Sequence, residues 1–202
     1  MFAQIIKGKV SDPAAVRTVV DRWMTELGPT ATGWLGSTGG VTDDGRSFEL
    51  VRFESEAAAR ANSDRPEQGE WWSEVEKLFD GDPTFQDSTD VEVEQIGNLD
   101  SAGFVQVILG RVSDYERVKQ LMATFPSPAE SGRPEILGSV SVGLDGGQYA
   151  LVLYFTSEAA ARVGEAKEMP PGMNAAFEEM AALEVGEPEY LDLKTPWLDS
   201  PK

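Results

Sequence analysis

The chain has no cysteine and no histidine. Without cysteine there is no disulfide, no thiolate nucleophile, no zinc ribbon and no iron–sulfur cluster. Without histidine there is no Ser-His-Asp triad, imidazole-bound metal, proximal-His haem or histidine pH switch. Positive charge is scarce: 17 Lys and Arg stand against 35 Asp and Glu, a net charge of −18. Phosphate binding needs clustered cations, so no nucleic-acid partner is expected. Long apolar runs are missing as well. No stretch approaches the ~18 residues of a spanning helix, so no membrane partner is expected. The segment Met1–Val10 lacks a basic start followed by a long apolar stretch and a cleavage site, so it does not read as a secretory signal. A soluble cytoplasmic protein is the expectation.

What the chain does have is a core-forming composition and a repeat. Its 202 residues are 41% hydrophobic and 9% aromatic, enough for one large domain or two of about 100 residues each. Shifting the sequence by 102 residues aligns Phe2–Asn62 with Phe104–Gly164 without a gap, and 20 of the 61 pairs are identical. Unrelated sequences at ordinary residue frequencies would share about 4. The densest matches are Phe2–Asp12 with Phe104–Asp114, Leu35-Gly36-Ser37 with Leu137-Gly138-Ser139, and Phe53–Arg60 with Phe155–Arg162. The chain is a tandem duplication: repeat one over 1–96, a polar linker over 97–103, repeat two over 104–195 and a C-terminal tail over 196–202.

Each copy reads as strand, helix, strand, strand, helix, strand. Phe2–Val10 alternates as a strand, and Ser11, Asp12 and Pro13 open a helix. Val16, Val19, Val20, Trp23, Met24 and Leu27 form one apolar stripe until Gly28-Pro29 stops it. Gly33–Val41 and Ser47–Phe53 flank the turn Asp43-Asp44-Gly45. Ser55 caps a helix over Glu56–Asn62. Trp71, Trp72, Val75, Leu78 and Phe79 mark another helical stripe, and Phe85–Val93 is the last strand. Copy two repeats this order, with helical stripes at Val118, Leu121, Met122 and Phe125 and at Phe177, Met180 and Leu183. The βαββαβ order is the ferredoxin-like split pattern. In the first strand the identities fall on alternate residues: Phe2, Gln4, Ile6, Gly8 and Val10 match and those between differ. Neighbouring side chains on a strand face opposite ways. One face is therefore held constant between copies, either towards a shared interior or towards each copy's own core.

Two ferredoxin-like units of this length, joined to the Phe53-Glu-Ser55-Glu56-Ala57-Ala58-Ala59 type of strand-to-helix junction, resemble the dimeric α/β-barrel superfamily. More narrowly they resemble its antibiotic biosynthesis monooxygenase-like domain. The resemblance implies an α+β protein in which two ferredoxin-like repeats form an intramolecular pseudo-dimeric barrel, standing as a monomeric pseudo-dimer or pairing as a homodimer. The superfamily includes cofactor-free monooxygenases of aromatic polyketides, haem-degrading proteins and proteins with no known reaction. Where many members place a histidine late in the second helix, this chain has Asn62 and Gly164. The histidine-dependent versions, with His-ligated haem, are therefore not expected, and neither a cofactor nor a metal is implied.

Several residues then become candidates for a pocket. The copies differ in aromatics: Trp23, Trp34, Trp71 and Trp72 lie in the first, and Tyr115, Tyr149, Tyr154 and Tyr190 in the second. This is either drift or the specialisation of one half. Trp71 and Trp72 are adjacent, about 100° apart on a helix. One packs beside Val75 and Phe79; the other lines a pocket or the surface. In the resemblance's chemistry Trp72 would stack on a flat aromatic substrate and Asn62 would hydrogen-bond an oxyanion. Gln4 and Gln106, on the constant strand faces, bond across the barrel, bind a ligand or sit at a solvated edge. Arg52, matched by Tyr154, shares a face with Phe48 and Leu50; it binds an anion if inward and is a surface charge if near the strand end. Gly36-Ser37-Thr38-Gly39-Gly40 lacks the lysine and helix of a phosphate loop. Glu74, Glu76, Glu178 and Glu179 read as solvated helix faces. The functional expectation is a small-molecule-binding protein resembling the cofactor-independent monooxygenases, acting on a small hydrophobic or aromatic molecule. The alternative is a non-catalytic ligand carrier or interaction module of the same fold.

Overall fold

The computed structural model describes residues 1–168 and 172–201. The chain divides into two compact units, Met1–Val91 with Thr195–Lys202, and Glu92–Lys194.

The first unit begins with β1 (Phe2–Lys9) and α1 (Pro13–Glu26). Asp12 caps α1 by accepting the Ala15 N–H at 3.0 Å, and Pro13 occupies the first turn, where no N–H is needed. Then come β2 (Trp34–Val41), β3 (Arg46–Phe53), α2 (Glu56–Ser63), α3 (Pro66–Val75) and β4 (Thr84–Ser88). Ser55 caps α2 through the Ala58 N–H at 3.2 Å, which explains the shared Ser-Glu-Ala-Ala-Ala motif. The helix expected from the stripe at Trp71–Phe79 starts earlier, at Pro66. It ends in a short 3-10 turn over Glu76–Leu78, with Phe79 already extended.

The second unit repeats the scheme with β5 (Val91–Gln95), β6 (Phe104–Arg111), α4 (Tyr115–Met122), β7 (Ile136–Gly143), β8 (Gln148–Phe155), α5 (Glu158–Glu165), α6 (Asn174–Leu183) and β9 (Glu189–Leu193). A last strand, β10 (Trp197–Asp199), belongs to the first unit. The sheets run β10-β2-β3-β1-β4 and β5-β7-β8-β6-β9. The strands β2-β3-β1-β4 and β7-β8-β6-β9 have the ferredoxin-like order, and β10 and β5 are additions at one edge of each sheet.

Two expectations change here. The strand foreseen over Phe85–Val93 is two strands, separated where the Ser88 hydroxyl accepts the Asp90 N–H. The first piece pairs with β1, and the second, β5, joins the other sheet. The C-terminal tail, foreseen as separate, supplies the edge strand of the first sheet; its last residue, Lys202, lies outside the described residues. Both additions use the same local device. Each copy has a bulge after its Trp34 or Ile136, at the repeated Leu-Gly-Ser. Gly36 and Gly138 have φ of +130° and +149°, and a Cβ there would collide with backbone carbonyls of the added strand: that of Asp199 at 2.9 Å from Gly36, and that of Glu94 from Gly138. Only glycine admits the extra strand.

The alternation in β1 also resolves. Phe2 joins Trp23, Leu27, Ala31, Trp34, Phe53 and Ala59 in a core packed under the unit's own helices. Phe104 packs likewise with Phe155 and Ala161. The constant face is thus the one that meets each unit's own helices. The opposite face of the first sheet carries Ala3, Ile5, Phe48 and Leu50, all fully buried.

Candidate functional site

Between the first sheet and its helices lies a cavity of about 320 Å³, the size of a small-ligand pocket. Every residue lining it belongs to the first unit. Its roof is α1 and α3. Val16, Val20, Trp23 and Met24 come from the first helix and Trp71, Trp72 and Val75 from the second, with Phe79 and Phe85 beyond. Its floor is the constant face of the sheet. Strand register puts Gln4, Val51, Ser37 and Asp199 in one row across β1, β3, β2 and β10, and Ile6, Glu49, Gly39 and Trp197 in the next.

The tryptophans form a connected wall. Trp23 meets Trp34 edge-on with centroids 5.0 Å apart, and Trp71 lies 6.3 Å from Trp23 and 6.2 Å from Trp72. Trp23 donates its indole N–H to Gln68 at 2.7 Å and Trp71 to the Val19 carbonyl at 2.9 Å. Those bonds fix both rings, as a buried indole N–H requires. Trp72 is held by rings instead, against Phe79 at 6.3 Å and edge-on to Phe85 at 5.2 Å. Both members of the Trp71-Trp72 pair therefore line the cavity.

The polar groups of the floor centre on Glu49. Its carboxylate lies over Gly39, where any side chain would overlap it. It is partly accessible, to the cavity, and otherwise enclosed by protein. Burial pushes its carboxyl up to about 8, and the neighbouring Asp199 adds to the rise; Arg17 and a hydrogen bond from Ser37 oppose it. Ser37 in turn accepts the Trp34 indole N–H at 3.3 Å. Asp199, buried, is held by a two-pronged bond from Arg17, at 2.8 and 3.0 Å. Arg17 also pairs with Asp21 at 2.6 Å and lies 5.8 Å from the centre of the Trp197 ring. The two carboxyls of the cavity are therefore unlike. Asp199 has a guanidinium partner, whereas Glu49 is held neutral at pH 7 by its surroundings. A carboxyl raised in this way by its surroundings, inside a cavity, is a mark of acid–base sites.

Three of the six candidate residues meet at this cavity. Gln4 lines it and donates its amide to Asp87 at 2.9 Å. Asn62, buried, lines it and accepts from Arg65 through its carbonyl at 3.0 Å, so its N–H groups remain for a ligand. Trp72 lines it. The other three do not. Arg52 lies on the opposite face of β3, beside Leu50, and its Nε is buried without a hydrogen-bond partner. Gln106 and Tyr154 are buried in the second unit, Gln106 donating to Asp192 at 3.0 Å. In that unit the position of Asn62 is Gly164, and a side chain there would strike Glu135 and Arg133, which pair with each other.

Sequence reasoning missed Glu49 and Asp199. A signal for the first was present: it is the one charge amid Phe48, Leu50 and Val51, and its counterpart in the second copy is Leu151. Nothing marked Asp199, because its place depends on where the tail docks. The acidic helix residues Glu74, Glu76, Glu178 and Glu179 are exposed, as expected. Among the described residues no group of three or more carboxylates could hold a metal ion, and no helix is long and apolar enough to cross a membrane.

The fold is that of a tandem ferredoxin-like α+β protein, and the resemblance read from the sequence holds at the level of fold. Solved structures of the same architecture include a candidate monooxygenase from Lactobacillus acidophilus, 16% identical with a TM-score of 0.71, covering 98% of each chain. Another, from Fusobacterium nucleatum, is 9% identical with a TM-score of 0.77 over 98% of this chain and 94% of that one. An anthrone oxidase-like protein is 13% identical with a TM-score of 0.66 over 100% and 91%. No protein-family model and no curated protein matches the sequence.

Proposed function

We propose that the first unit binds a small, flat aromatic molecule and oxidises it with dioxygen, without a cofactor. The observation that carries this reading is Glu49, an acid of pKa about 8 in a tryptophan-walled cavity. Once ionised, such a carboxylate is a far stronger base than an exposed glutamate and works near neutral pH. Trp72 and Trp71 offer ring faces to stack on, and the Asn62 N–H groups suit a developing oxyanion. The reaction that these groups serve begins with loss of an acidic substrate proton to Glu49. The substrate anion passes one electron to dioxygen, the two radicals join as a peroxide, and loss of water leaves a carbonyl. A ring CH2 and O2 become C=O and H2O, and Glu49 returns its proton to the departing water. The protein supplies orientation, a dry site and a base. The likeness in fold to candidate monooxygenases and to an anthrone oxidase-like protein supports this choice of chemistry.

All five tryptophans belong to the first unit, so their fluorescence reports on this cavity. Titration with phenols, quinones and anthrone-type compounds should give saturable quenching, with about tenfold weaker binding for Trp72→Phe. Oxygen uptake should follow with the right substrate and disappear in Glu49→Gln. No saturable quenching by any aromatic refutes the reading. Binding without oxygen uptake across the panel makes the protein a ligand carrier.

A further inference from the structure

The charges of the cavity are one-sided. Glu49 and Asp199 line it, and among the described residues lining it there is no lysine or arginine. Arg17 stands behind Asp199 and is shared between Asp199 and Asp21. The rest of the wall is rich in tryptophan: Trp23, Trp71 and Trp72 from above and Trp197 from the edge strand. Indole faces attract cations and repel anions. A carboxyl without a cation of its own, in a cavity walled by indole rings, is a receptor for positive charge. We infer that the ligand of this cavity is an aromatic amine, bound as its ammonium, with the ring against the tryptophan wall and the cation beside Glu49.

This inference rests on the cavity being the ligand site, and it sharpens the chemistry proposed there. In the empty protein Glu49 is mostly protonated at pH 7 and cannot accept a proton. An ammonium beside it favours the carboxylate, so binding expels the Glu49 proton to solvent. The groups that face Glu49 from the neighbouring elements are Asp199 on β10, Arg17 on α1 and the Ser37 hydroxyl on β2. Arg17 and Asp199 stay paired throughout, so Glu49 is the group that responds. A carboxylate-bearing aromatic, by contrast, would meet two acids and no cation.

The test compares three ligands with one ring system: 2-naphthylethylamine, 2-naphthylethanol and 2-naphthylacetate. Binding is measured by calorimetry at pH 7 in two buffers of different ionisation enthalpy. The amine should bind about tenfold or more tighter than the alcohol, and the carboxylate weakest of all. Binding of the amine should release close to one proton, and binding of the alcohol none. Glu49→Gln, which mimics the neutral acid in shape and so keeps the fold, should bring the amine down to the alcohol's affinity and abolish proton release. If alcohol and amine bind equally, or the carboxylate binds best, the inference is overturned while the aromatic site stands. If none of the three binds, the site itself is refuted.

Discussion

Glu49→Gln should stabilise the first unit, and by an amount that grows with pH. In the unfolded chain the carboxyl titrates near 4.5 and in the folded protein near 8. Between those values the folded state holds a proton that the unfolded state has lost, so stability falls as pH rises. Below pH 4.5 both states are protonated and Glu49 contributes no penalty. From there the cost accumulates at about 1.4 kcal/mol per pH unit, reaching about 3 kcal/mol at pH 7 and levelling off above pH 8. Glutamine never ionises and escapes this cost. Every other carboxylate of this acidic chain is common to both proteins and cancels in the difference. Urea unfolding followed by tryptophan fluorescence reads the first unit alone, since all five tryptophans lie there. The gap between variant and parent should be small at pH 5 and widen by roughly 2–3 kcal/mol at pH 7.5. A gap that is the same at both pH values would refute the assignment of Glu49 as a neutral buried acid.

Two further outcomes follow from the packing around it. Arg17→Met leaves Asp199 buried without its cation and removes the charge that restrains Glu49; it should cost about 3 kcal/mol in urea unfolding at pH 7, and a loss under 1 kcal/mol would show that the pair is solvated. Gly36→Ala places a methyl against the Asp199 carbonyl in a backbone conformation with φ of +130°. It should detach β10, exposing Trp197 to quenchers and the tail to carboxypeptidase, whereas unchanged protection would mean that the bulge does not hold the strand.

The matched segments show how much of the fold can be read locally. Ser55 and Ser157 cap their helices with the same bond, to Ala58 and Ala160, and Asp12 and Asp114 do likewise for α1 and α4. Such contacts span three residues and are visible in any window of sequence. The alternate matches along Phe2–Val10 likewise displayed a face held constant, though not what it faced. Asn62, Gln4 and Trp72 could be picked out by residue type, and the structure brings them to one cavity. Arg52 has the right chemistry for a ligand but falls on the other side of its strand, because a period of two separates it from Glu49 and Val51.

The duplication, the ferredoxin-like order and the exclusion of histidine and cysteine chemistry were determined by the sequence itself, since periodicity, caps and composition are local or additive properties. The site was decided by tertiary structure. Glu49 becomes a neutral acid only because the sheet and helices enclose it and Gly39 leaves room for its carboxylate. Asp199, 150 residues further along, reaches its side only because Gly36 lets the tail dock as a fifth strand. Desolvation and long-range register depend on what surrounds a residue in space, and neighbours in the chain do not carry that information.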